Sequence, residues 1–164
     1  MNDELYTKRD RMRFTKNSLS SMLVILAILF DVFYFVSIYE SDATGRELGN
    51  FYYQIRIGAS IIYNLVFMLA AFLASEGVKN YKKPYCYVLF VIGALQIVRI
   101  FILPAQAAST PVAVGGDMVM GAAQHVRVVA YLLLSAAGCL AGGVIGLIRC
   151  NELEAHVASL EKKA

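Results

Sequence analysis

Asp31 and Arg99 carry opposite charges, and each lies inside a long apolar run. Asp31 follows Lys16 by 15 residues and Arg99 follows Lys83 by 16, so helical counting sets them at nearly the same depth. An isolated charge in hydrocarbon is expensive, and intramembrane ionisable groups pair with one another or serve a function. Two kinds of chemistry are open to them. The pair can be a buried ion bond that fixes helix packing. Alternatively, with Arg56 and Arg127, it can form a polar pocket walled by Tyr63, Asn64 and Gln96. Three arginines against one aspartate make that pocket net positive. Guanidinium groups bind carboxylates and phosphates through bidentate contacts, so its ligand would be an anion or a lipid phosphate. Asp31 could also act as a proton-coupling acid, or as the contact for a partner subunit.

Other chemistries find no footing. The chain has no GxSxG, HExxH, GxGxxG or P-loop pattern. Only one acid falls in an apolar core, so a paired-carboxylate mechanism lacks its second member. The expectation is a protein that is not an enzyme. His125 and His156 are far apart, and Cys86, Cys139 and Cys150 form no CxxC pair. Neither a metal site, a cofactor nor a disulfide framework is expected. The basic residues sit beside apolar helices, which argues against nucleic acid as a partner.

The elements that must position these residues follow from composition. Of 164 residues, 59% are hydrophobic and 16% charged, against about 45–50% and about 25% in soluble domains. The apolar residues come in blocks of about 20, the length that crosses a bilayer. The spacing predicts an all-α, antiparallel four-helix membrane bundle with a short C-terminal helix. A basic arm occupies 1–17, spans occupy 18–39, 55–75, 85–103 and 126–148, and an amphipathic tail occupies 149–164. The run from Ser18 to Tyr39 exceeds the 7–15 residues of a signal core and reads as an uncleaved anchor. Gly45 and Gly49 mark one connection, Pro84 a tight basic one, and Pro104 the end of the third span. Asn151 reads as the N-cap of a separate tail helix, with Leu153, Val157 and Leu160 on one stripe.

Eleven of the fifteen Lys and Arg residues fall in the arm, the 76–84 loop and the C-terminal end. The positive-inside rule then sets both termini in the cytoplasm, in a cell membrane of bacterial type. Tyr34, Tyr39 and residues 51–53 are expected to ring the outer interface, and Phe14, Tyr81, Tyr85 and Tyr87 the inner one. Polar stripes mark the inward faces: Arg56, Ser60, Tyr63, Asn64 on the second span, and Arg127, Tyr131, Ser135 on the fourth. Gly138, Gly142 and Gly146 repeat at four-residue spacing and form a close-packing face. The helix they receive could belong to this chain or to another. Two functions follow as expectations. One is a non-enzymatic accessory subunit that associates with itself or another membrane protein through the glycine face and tail. The other is a small transporter or an anion- or lipid-binding protein that uses the Asp/Arg cluster.

Overall fold

Long unbroken apolar runs, free of interior proline, satisfy their backbone groups internally and therefore form helices in a bilayer. The computed structural model of the chain describes residues 17–42, 51–109 and 120–161, excluding the side chains of 39–42, 51–54, 56–57, 106, 109 and 160–161. The basic arm, the Gly45–Gly49 connection and 110–119 lie outside the described residues. Five helices follow in order: α1 Ser18–Asp42, α2 Phe51–Lys79, α3 Lys83–Ile100, α4 Leu103–Ser109 and α5 Ala122–Glu161. The four long ones are each long and apolar enough to cross a membrane, as an all-α four-helix bundle. The protein is a multi-pass membrane protein, and four spans return the last span's end to the side on which the first began.

Three boundaries differ from the sequence expectation. α2 is 29 residues long and overruns its 55–75 span at both ends, because nothing at Phe51–Gln54 or Glu76–Lys79 breaks the hydrogen-bond ladder. The second long connection is partly helical. α3 stops at Ile100, Phe101 and Ile102 turn, and Pro104 enters the first turn of α4, where its missing N–H costs nothing. The tail is not a separate helix. α5 runs 40 residues without interruption, and Asn151 lies inside it rather than capping a new start. No glycine or proline lies between Gly146 and Glu161, and one asparagine costs well under 1 kcal/mol in a helix interior.

The α2–α3 turn closes as a Schellman motif. The Lys82 amide donates to the Gly77 carbonyl at 3.0 Å and the Tyr81 amide to the Val78 carbonyl at 3.0 Å. Tyr81 takes the left-handed conformation (φ 56°) usually given to glycine and packs its side chain against the core. That packing offsets a cost of about 1–2 kcal/mol.

The long helices stand in a ring, α1–α2–α3–α5. α5 packs most extensively, against α1 on one side and α3 on the other. α2 is the least tightly held, and α1 and α3 face each other across the bundle axis. The glycine face of α5 is spent inside this chain. A Cβ on Gly138 would lie 2.9 Å from Ala27 Cβ, one on Gly142 2.8 Å from Val24 Cγ2, and one on Gly146 2.7 Å from Val78 Cγ1. At the same end Asn17 donates to the Val78 carbonyl, Ser20 to the Gly142 carbonyl, and Ser21 bonds Ser75. Large apolar side chains point outward instead, with Ile62 65% and Leu69 61% exposed. In water such a surface would aggregate; in a bilayer it faces acyl chains.

Candidate ligand site at a buried ion pair

The polar residues that the apolar spans cannot leave in lipid collect in one layer. Asp31 on α1 is fully buried and Arg99 on α3 is 5% exposed. Arg99 Nη1 donates to Asp31 Oδ1 at 3.2 Å. Gln96 Nε2 donates to the same oxygen at 2.8 Å and to Ser135 Oγ of α5 at 3.3 Å. Arg99 also reaches Gln96 Oε1 at 3.5 Å and Ser60 Oγ of α2 at 3.4 Å. All four long helices therefore contribute to one network. Its ion pair joins the two that are not neighbours, and only the long stems of Gln96 and Arg99 let it cross the axis.

Two tyrosine rings lie against the guanidinium. Its Cζ lies 4.2 Å from the Tyr34 ring centroid and 4.7 Å from that of Tyr63. Ring faces are negative, and desolvated contacts of this kind are worth about 2 kcal/mol. Arg99 is thus held by one carboxylate, two neutral oxygens and two π faces.

The network leaves some capacity unused. Among the described residues Asp31 Oδ2 and both amide atoms of Asn64 have no hydrogen-bond partner, and Asn64 is fully buried. The contacts of Asn17 with Val78 and Ser21 with Ser75 set the α1–α2 register, which carries Asn64 level with Asp31. An unpaired buried amide costs several kcal/mol in hydrocarbon.

Beside the layer, α2 and α3 separate around a cleft of about 360 Å³, lined by Ala59, Ser60, Tyr63, Leu95, Val98, Arg99, Ile102 and Leu103. Leu95, Val98 and Ile102 are about half exposed, so it opens sideways onto the lipid-facing surface. Ligand pockets typically run about 300–1,000 Å³ with few polar groups. Here those are the guanidinium, one hydroxyl and one phenol.

Of the residues that sequence singled out, Asp31, Gln96 and Arg99 come together, Tyr63 stacks on Arg99, and Asn64 sits buried at the same level. Arg127 is exposed on α5 and is not among the cleft residues. The side chain of Arg56 lies outside the described residues. The glycines belong to the α5 packing face and not to the site. Tyr34, expected at the outer interface, is fully buried against Arg99. Its place one turn from Asp31, on the same face, was the available signal. Ser60 and Ser135 lay on the polar stripes, but nothing in one dimension showed that they would meet Gln96 and Arg99. Among the described residues no cluster of His, Cys, Asp and Glu has the makings of a metal site. No family model matches the chain, and no curated protein or solved structure is significantly similar to it.

Proposed function

We propose that this protein is a non-enzymatic binding protein of a cytoplasmic membrane, of bacterial type, which takes an amphiphile with an anionic head between α2 and α3. The observation that carries this reading is the Arg99 guanidinium in a cleft that opens on the bilayer side. The head would meet Arg99 and Ser60, and an apolar chain would lie along Leu95, Val98 and Ile102. Entry from the side needs no aqueous channel and uses the least tightly packed helix pair. Orientation follows the basic residues, with the α2–α3 turn and the far end of α5 facing the cytoplasm. Arg99 then lies about 24 Å from that side at 1.5 Å per residue, near the other interface, within reach of a drawn-in headgroup.

The accessory-subunit reading loses its main surface, because α1, α2 and α3 cover the glycines of α5. Among the described residues it retains the α5 extension past Cys150, where a partner would meet Leu153 and Val157.

The test is chain-length dependence in zwitterionic nanodiscs. A dansyl-labelled C12 alkyl sulfonate should bind, and unlabelled C12 sulfonate should displace it. Methanesulfonate and dodecanol, which each lack one half of the amphiphile, should compete at least tenfold more weakly. Val98→Trp, on the exposed cleft wall, should reduce binding at least tenfold with the fold intact. Equal competition by methanesulfonate or dodecanol, or unchanged binding to Val98→Trp, would refute the reading.

A further inference from the structure

We propose that the anionic ligand displaces Asp31 as counter-ion of Arg99, and that Asp31 takes up one proton as the ligand binds, its new O–H then donating a hydrogen bond to Asn64. The inference rests on the binding reading above and adds its coupling to protons.

Charge sets the problem. At rest the Asp31–Arg99 pair is neutral, and it is shut away from water on both sides. A second anion at the guanidinium would give the layer a net negative charge in a medium that does not tolerate one. One proton restores neutrality. The guanidinium is placed for the exchange: Nη1 is turned to Asp31 and Gln96, while Nη2 is turned to Ser60, which lines the cleft. A ligand oxygen arriving beside Ser60 meets the half of the fork that Asp31 does not use.

The proton also has a place to go. Asp31 Oδ1 already accepts from Gln96 and Arg99, whereas Oδ2 accepts from none of the described residues. A protonated Oδ2 becomes a donor. Level with it on α2 stands Asn64, buried and unpartnered at both amide atoms, whose Oδ1 can accept that hydrogen. The exchange thus satisfies two groups that the resting network leaves bare.

Among the described residues no other side chain near Asp31 competes for the proton. From α3 it meets Arg99 and Gln96, from α2 Tyr63, with Asn64 at the same level, from α5 Ser135 and Cys139, and on α1 Tyr34 lies one turn away. Phenols and thiols hold their protons at neutral pH, and arginine keeps its own. In balance, the ionised pair, one ligand anion and one proton from water give the neutral acid and a ligand–guanidinium pair. No bond other than O–H is made.

The measurement uses the full chain in zwitterionic nanodiscs, with the C12 alkyl sulfonate, which does not titrate. Its Kd should rise about tenfold per pH unit between pH 6 and 8, as uptake of one proton requires. Calorimetry in two buffers of different ionisation enthalpy should count one proton per ligand. Asp31→Asn should bind with no pH dependence. Should that variant fail to fold, the wild-type proton count decides alone. Binding with a flat pH profile and no proton uptake would overturn the coupling and leave the binding reading standing. No binding at any pH would overturn both.

Discussion

Breaking the Asp31–Arg99 pair from one side should cost far more than removing it whole. At 3.2 Å and an effective dielectric constant of about 20, the attraction between the unit charges is about 5 kcal/mol. Desolvating both groups consumes most of that gain, so the intact pair adds little net stability. Removing one partner strands the other charge, which typically costs about 3–5 kcal/mol. Arg99→Met leaves Asp31 with the Gln96 amide alone. Asp31→Leu leaves Arg99 its bonds to Gln96 and Ser60 and its two aromatic faces. Arg99→Met should therefore fall at the upper end of that range and Asp31→Leu at the lower. The double variant removes both charges and should lie within about 1–2 kcal/mol of the parent, giving a coupling energy of about 6–7 kcal/mol in magnitude. Steric-trap unfolding in bicelles, read on parent, singles and double, closes the cycle. Single effects that add to within about 0.5 kcal/mol would refute the claim that the two charges are energetically one unit.

Two further outcomes separate packing from electrostatics. Gly138→Ala sets a methyl 2.9 Å from Ala27 Cβ and 3.0 Å from the Leu23 carbonyl, atoms that no rotamer change can move. α1 and α5 must part, at about 1–3 kcal/mol, whereas Gly58→Ala meets open space and should gain about 0.5–1 kcal/mol. The same unfolding assay reads both, and equal effects would exclude the close-contact explanation. Glu154→Gln removes the charge from the exposed 2.7 Å ion pair with Lys83. It should change stability by less than about 1 kcal/mol, since exposed ion pairs contribute little.

Depth was legible in sequence, and angle was not. Residue counting from Lys16 and Lys83 put Asp31 and Arg99 at one level, and the structure joins them there. The same counting carries no information about which helices are neighbours. It left the neighbours open, and in the structure the pair crosses the bundle axis. Apolar length alone revealed the four spans, because a bilayer demands it. The helix ends were harder to read. Local cues such as Asn151 and its following glutamates favour a start only where the preceding backbone needs one, and α5 arrives there already helical. Tyr34 was misplaced for a related reason: a phenol near a span's end suits an interface, but a guanidinium on the far side of the axis suits it better. The polar stripes pointed inward correctly at Ser60, Asn64 and Ser135, all buried. At Arg127 the stripe failed, because α5 turns that residue outward.

The partners that meet across the axis lie 68 residues apart in sequence. During synthesis at about 5–20 residues per second, the later one emerges about 3–14 s after the earlier. Over that interval the nascent first span holds its acid without the guanidinium that pairs with it in the finished bundle. Any chain that terminates before position 99 lacks that pairing, and so carries a built-in mark by which an unfinished product differs from a complete one.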